Sequence, residues 1–270
     1  MNFQPKLKEV EMKNMVKNIC AAMVISLCAA GHLSATENNP NNDNKFMEEN
    51  LNLIQEWDKT FPQSDKVNHK KITFHNRYGI TLTADLYVPK NATGKLSAIA
   101  ISGPFGAVKE QASGLYAQTL AERGFLTIAF DPSYTGESSG QPRYVASPDI
   151  NTEDFSAAVD YLSTRDDVDA ERIGILGICG WGGMALNAAA IDTRIKATVT
   201  ATMYDMSRVN ANGYFDSMNA DARHELRRQL NAQRTEDYRN GTFALEGGVV
   251  DPLPADAPQF VKDYHAYYKT

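Results

Sequence analysis

The chain has 270 residues, of which 43% are hydrophobic, and a formal net charge of −6. This length supports one domain of ordinary size with a sizeable core, and the composition is typical of a globular protein. The negative charge argues against a nucleic-acid partner, because it leaves no basic patch to neutralise phosphates.

The first 35 residues are predicted to be a signal peptide. Lys13 and Lys17 give a positively charged start, and residues 19–30 form an apolar stretch too short for a stable membrane span. Leu33-Ser34-Ala35 suits cleavage before Thr36. We therefore expect an exported protein, periplasmic or secreted.

Residues 36–70 are predicted to be a polar spacer followed by an N-terminal helix. Residues 36–45 are polar and typical of a disordered segment. Phe46 to Trp57 carries apolar residues at helical spacing. The main domain is expected over residues 71–270.

A β-hairpin is predicted at the start of this domain. Lys71–Tyr78 and Ile80–Val88 alternate apolar and polar residues around Gly79, which indicates two antiparallel strands. The residues expected on the inner face are Ile72, Phe74, Leu82, Ala84, Leu86 and Val88.

After the hairpin, buried strands alternate with amphipathic helices. Strands are predicted at 96–101, 125–130, 173–178 and 195–203, with helices at 111–123, 149–164 and 184–190. This alternation predicts an α/β fold, in which a mostly parallel central sheet carries helices on both faces. The hairpin would add antiparallel strands at one edge.

The pattern becomes helical from residue 206 onwards, and residues 206–270 are predicted to form a cap-like segment. A strongly charged helix is expected over Ala220–Arg239 and a short aromatic helix over Pro258–Tyr268. Residues 247–258 between them contain three prolines and are predicted to be a loop. No further buried strand is predicted before Thr270.

The most informative stretch is Ile173–Gly183, where an apolar strand ends at Cys179 and passes directly into a helix. Glycines around the cysteine allow a tight turn. A strand, a sharp turn with an exposed nucleophile and a helix make a nucleophile elbow, here with cysteine in place of serine. The alternatives are a glycine-rich turn with a buried cysteine and a dinucleotide-binding turn, although the Gly-x-Gly-x-x-Gly spacing is missing.

Export would also change the number of thiols. Cys20 and Cys28 lie in the predicted signal peptide, so Cys179 would be the only cysteine of the mature chain. No disulfide is then expected.

Three stretches make the chain resemble the α/β-hydrolase superfamily, and within it bacterial hydrolases related to dienelactone hydrolase, which also place cysteine at the elbow. The stretches are Gly103–Gly114, Asp131–Ser138 and Gly177–Gly183. The resemblance implies that Cys179 is the nucleophile.

The same resemblance implies an oxyanion hole with two backbone donors. Gly180, which follows the nucleophile, would supply one N–H, and the loop after Ile101 would supply the other. Pro104 has no N–H, so Phe105 is the candidate for the second donor.

The chain departs from the superfamily pattern in two places. Trp181 stands where the elbow pattern prefers a small residue. The two strands that carry first the acid and then the histidine are not predicted, so the sheet is expected to lack its last two strands and the chain to be C-terminally truncated.

Four residues remain as candidates for supporting roles. Asp205 follows the 195–203 strand, where some superfamily members place the triad acid, and it also suits a helix cap. His265 lies on the aromatic helix and is a candidate base. Asp131 and Glu137 could contact substrate or cap a turn.

We expect a hydrolase of an ester, thioester or lactone that acts through Cys179 and is impaired by the missing strands. Two alternatives remain: a non-catalytic small-molecule-binding protein of the same fold, and acyl transfer to an acceptor other than water. A small-molecule acyl substrate is expected, with no cofactor and no metal. The exposed edge of the 195–203 strand predicts self-association unless residues 207–270 cover it.

Overall fold

The computed structural model describes residues 49, 51–245, 248–249 and 251–269. The predicted signal peptide and polar spacer lie outside these residues, as does the start of the predicted N-terminal helix. Within this described part, no helix is both long and apolar enough to cross a membrane.

The described residues place six strands in one sheet, in the order β1-β2-β4-β3-β5-β6. The strands are β1 Val67–His75, β2 Thr81–Pro89, β3 Leu96–Ser102, β4 Leu126–Phe130, β5 Val168–Ile178 and β6 Ile195–Ala201. β2 runs antiparallel to both β1 and β4, whereas β3, β4, β5 and β6 are mutually parallel. The predicted sheet, mostly parallel with an antiparallel hairpin at one edge, is confirmed.

Helices cover both faces of this sheet, as predicted. They are α1 Ala112–Ala121, α2 Pro148–Ser163, α3 Gly180–Ile191, α4 Met206–Asn212, α5 Ala220–Asn240 and α6 Gln259–Tyr268. α2 and α3 pack on one face of the sheet and α1 packs on the other. Successive strand residues such as Ala100 and Ile101 point to opposite faces and therefore belong to two different cores. The described residues after β6 contain helices and loops but no strand.

The hairpin has the predicted inner face. Phe74 pairs with Leu82 and Ile72 pairs with Ala84. Four of the six residues predicted for this face are buried in the core shared with α2 and α3, and Ile72 and Val88 are half-buried against it. The alternation of apolar residues therefore predicted both the two strands and the face of the sheet on which each side chain lies.

The burial predicted for the 195–203 strand is wrong. β6 forms over Ile195–Ala201, but Val199 is 54% exposed. The reason is that α1 packs mainly on β2, β3 and β4, so the same face of β6 is left open. An apolar cavity of about 800 Å³ lies on this open face, between α1 and β6.

The predicted N-terminal helix is also wrong where it can be compared, since residues 51–57 form no helix. Trp57 packs edge-on against His69 of β1, with ring centroids 5.2 Å apart. The backbone N–H of Ile54 donates to Glu137 Oε1 at 2.7 Å. Lys59 buries its side chain completely and places Nζ 3.1 Å from Asp85 Oδ1. These tertiary contacts replace the helix.

Candidate active site

Cys179 lies between the last residue of β5 and the first residue of α3. Its backbone has φ 57° and ψ −126°, a region that residues other than glycine rarely adopt. The Cys179 N–H donates to the Ala201 carbonyl at 2.9 Å, and the Gly182 N–H donates to the Cys179 carbonyl at 3.0 Å. The side chain is half-buried. The turn thus has the geometry expected of a nucleophile elbow.

Glycine is required at two positions around this turn. A Cβ on Gly177 would lie 2.3 Å from the Trp181 carbonyl oxygen, so glycine lets α3 lie against β5. A Cβ on Gly180 would lie 2.7 Å from Phe105 Cδ2. The Phe105 ring can therefore pack directly on the first turn of α3.

Trp181 fits the elbow without opening it. The side chain is buried and stacks on Phe105, with ring centroids 6.0 Å apart and an interplanar angle of 25°. Gly103 makes room for it, because a Cβ there would lie 2.7 Å from Trp181 Cδ1. The larger residue at this position thus holds Phe105 in place.

The residues of the two predicted oxyanion donors adjoin each other, since the Phe105 ring packs against Gly180, the residue after Cys179. Phe105 and Gly106 occupy the central positions of a turn that is closed by the Ala107 N–H donating to the Pro104 carbonyl at 3.2 Å. The N–H groups of central turn residues are not used by the turn itself. Gly180 is in the first turn of α3, where N–H groups have no acceptor within the helix.

A pocket of about 320 Å³ adjoins Phe105 and Gly180. Its wall includes three methionines, Met184, Met203 and Met206, whose flexible thioether side chains adapt to irregular apolar ligands. This volume falls at the lower end of small-molecule sites, roughly 300–1,000 Å³. The larger cavity against β6 is lined by Ile173–Leu176 of β5 but by no residue from Gly177 to Gly183, so the smaller pocket is the candidate substrate site.

The candidate acid, Asp205, and the candidate base, His265, form no pair among the described residues. Asp205 caps α4, and its Oδ1 accepts a hydrogen bond from the Arg208 N–H at 2.9 Å. His265 lies on α6 with Nε2 3.8 Å from Asp251 Oδ1. Within the described ranges, no hydrogen bond or ion pair joins His265 to Asp205 or to Cys179.

Tyr268, which the sequence analysis did not single out, brings α6 to the site. A Cβ on Gly106 would lie 3.8 Å from Tyr268 Cε1. Burial, followed by the electrostatic interaction with Cys179, raises the pKa of Tyr268 to about 12. The spacing of Tyr264, Tyr267 and Tyr268 places the three rings on one face of a helix, and this was the signal available in the sequence.

A cluster of buried charges lies behind the Phe105 turn. The Lys109 Nζ is 2.8 Å from Asp131 Oδ2, 2.6 Å from Glu110 Oε1 and 2.6 Å from Glu137 Oε2. Burial acts to lower the pKa of Lys109, but the neighbouring carboxylates outweigh it and hold the pKa above its usual range. Although the three carboxylates lie close enough together to bind a metal ion, the Lys109 ammonium already contacts each of them.

The same cluster settles the choice between substrate contact and turn capping for Asp131. Its Oδ1 accepts from the Lys109 N–H at 2.8 Å, and its Oδ2 accepts from the Glu137 N–H at 2.9 Å. Asp131 is fully buried. It therefore caps the turn after β4 and ties that turn to the segment that carries Phe105.

Comparisons with known proteins agree with this architecture. The family described as X-Pro dipeptidyl-peptidase (S15 family) matches residues 78–257. PA2218 of Pseudomonas aeruginosa is 59% identical over 251 residues, which cover 93% of this chain and 66% of that protein. The crystal structure of PA2218 superimposes with a TM-score of 0.77 at 64% identity, covering 82% of this chain and 69% of that one.

Two fungal proteins are more distant. The α/β hydrolase GrgF from Penicillium sp. sh18 superimposes with a TM-score of 0.57 at 22% identity, covering 68% of this chain and 60% of that one. Thiohydrolase aneE of Aspergillus aculeatus is 30% identical over 137 residues, which cover 51% of this chain and 42% of that protein. The chain thus spans 66% of the length of PA2218 and less than half that of aneE.

Proposed function

Because the chain belongs to the X-Pro dipeptidyl-peptidase (S15) family and has the α/β-hydrolase fold, we propose that it cleaves an ester, thioester or lactone with Cys179 as the nucleophile. The observation that carries this proposal is the position of Cys179, on a left-handed turn at the start of α3, next to a methionine-lined pocket. The activity named for aneE favours a thioester among the three substrates.

The proposed reaction has two steps. The Cys179 thiol loses its proton to solvent and its sulfur attacks the carbonyl carbon, so that a C–S bond replaces the bond to the alcohol or thiol, which takes a proton from solvent and departs or, in a lactone, stays joined to the acyl group. The N–H groups of Gly180 and Phe105 donate to the oxyanion, and the N-terminus of α3 stabilises the developing negative charge. Water then cleaves the acyl-enzyme, which releases the acid and restores the thiol.

We further propose that the second step is slow in this chain. A positioned general base contributes about 10²–10⁴-fold to proton transfer. Among the described residues, the candidate base His265 forms no hydrogen bond or ion pair with Cys179 and instead faces Asp251. Activation of the attacking water therefore lacks its usual partner.

Stopped-flow measurement with p-nitrophenyl acetate tests both parts. We expect a burst of p-nitrophenol equal in amount to the protein, followed by a slow phase, and an acetyl group on the Cys179 peptide by mass spectrometry. Cys179→Ala should abolish the burst. Ser163→Ala, at the end of α2, is the matched control and should keep it.

Each other outcome has a defined meaning. A protein that binds the ester in its pocket without acetylation of Cys179 would be a non-catalytic binder, and the proposed activity would be wrong. A fast second phase would contradict the slow-hydrolysis proposal. A second phase that is slow in buffer alone but becomes faster when an amine or thiol acceptor is added would indicate acyl transfer.

A further inference from the structure

The last residue of α6 borders the elbow from one defined side. Two hydrogen bonds dock this end of the helix on the start of α1: Gln111 Nε2 donates to the Tyr267 carbonyl at 3.0 Å, and the Ala112 N–H donates to the Tyr267 hydroxyl at 3.3 Å. The Tyr267 and Tyr268 rings meet edge to face with centroids 4.8 Å apart. Tyr268 is thereby held over Gly106.

The candidate substrate pocket lies on the other side of the same turn. Phe105 and Gly180 line the pocket, whereas Gly106 and Tyr268 do not. An acyl donor has two parts joined at the carbonyl, the acyl group and the leaving group. If the acyl group enters the pocket, the leaving group faces the side on which Tyr268 lies.

We propose that Tyr268 determines specificity for the leaving group by forming a wall beside Cys179 that admits small alcohols or thiols and excludes bulky ones. This inference rests on the proposed function, since it assigns the two ends of an acyl substrate to two sides of Cys179. The ring is half-buried, and the end of the helix that carries it is held against α1 through Tyr267.

The wall is uncharged under ordinary conditions. With its pKa raised to about 12, the Tyr268 hydroxyl stays protonated at neutral pH. The side chain therefore adds no negative charge beside the thiol, and its effect on an entering group depends on size.

Alkylation of Cys179 tests the wall without requiring any hydrolysis. Rates are measured with iodoacetamide, which is small, and with N-(1-pyrenyl)maleimide, which is bulky, by quantifying the modified Cys179 peptide. In Tyr268→Ala the ratio of the bulky rate to the small rate should rise about tenfold, a change of about 1.4 kcal/mol in relative barrier height. Tyr268→Phe keeps the ring and should keep the wild-type ratio.

Phe260→Ala is the matched control, because Phe260 is on the same helix and is 65% exposed. Circular dichroism establishes that each variant is folded. Should Tyr268→Ala fail to fold, Tyr267→Phe removes the hydroxyl that accepts from Ala112, and a smaller rise in the ratio is expected.

An unchanged ratio in a folded Tyr268→Ala protein would overturn the assignment of Tyr268. That result together with a normal p-nitrophenyl acetate burst would leave the proposed function intact. Conversely, a raised ratio without acetylation of Cys179 would contradict the proposed function while leaving Tyr268 as the wall beside the thiol.

Discussion

Lys109→Met is expected to destabilise the fold by about 3 kcal/mol, the lower end of the range of about 3–5 kcal/mol for removing one partner of a buried ion pair. Lys109 is fully buried and its ammonium contacts three carboxylates. Lys71 also lies 2.6 Å from Glu137 and 3.4 Å from Glu110, so we expect these two carboxylates to keep a cation in the variant. Asp131 alone loses its cation, although it keeps two backbone donors.

Urea unfolding followed by tryptophan fluorescence measures this loss. The matched control is Arg228→Met, which removes an exposed ion pair to Glu225 on α5 and should destabilise the fold far less, because solvent screens a surface pair. A loss below about 1 kcal/mol for Lys109→Met, the size typical of a surface pair, would refute the argument that Asp131 depends on this ammonium.

The pH dependence of the same variant gives a second check. Burial acts to raise the pKa of Glu137, but hydrogen bonds from Lys109 and Lys71 outweigh it and hold the pKa below its usual range. The resulting stability is present above the ordinary glutamate pKa and is lost as the pH falls through the lowered value. Lys109→Met has already lost part of that stability at pH 7. The difference in free energy of unfolding between the wild type and the variant should therefore become smaller as the pH falls from 7 to 3.

Two further substitutions test the site. Gly180→Ala would place a methyl group 2.7 Å from Phe105 Cδ2 and should therefore displace the Phe105 turn. We expect the burst rate with p-nitrophenyl acetate to fall about a hundredfold, which is the effect of losing one oxyanion donor. An unchanged rate would show that Phe105 is not a donor. Asp205→Ala removes the α4 cap and should lower the free energy of unfolding, measured in urea, by about 1 kcal/mol, whereas Asp205→Asn should retain the cap. Equal losses of stability in the two variants would contradict the capping role.

Most of the fold could be predicted because its strands are short apolar runs separated by turn residues. The errors occurred where burial depends on a neighbouring element. Val199 has the same sequence context whether or not a helix covers it, and the structure leaves it open. Apolar spacing up to Trp57 suited a helix equally well, but packing against β1 decided otherwise.

For the candidate site too, residues in local motifs could be predicted, whereas residues placed by distant contacts could not. Cys179, Gly180 and Phe105 could be named as candidates because each is part of a local motif that sets its own backbone. Tyr268 was missed because its place depends on contacts such as that between Gln111 and Tyr267, which are 156 residues apart in the chain. Periodicity within α6 identifies its aromatic face and says nothing about where that face docks.

The contacts of the segment before β1 have a consequence for any shortened version of this protein. Asp85 is fully buried, and its Oδ1 is 3.1 Å from Lys59 Nζ and 2.7 Å from His69 Nε2. A chain cut at residue 71, the predicted start of the domain, would lose both partners and the first half of β1. The buried carboxylate would then be left without these two partners, which is costly unless water enters the sheet. A shortened version that keeps this side of the sheet dry must therefore start ahead of Trp57.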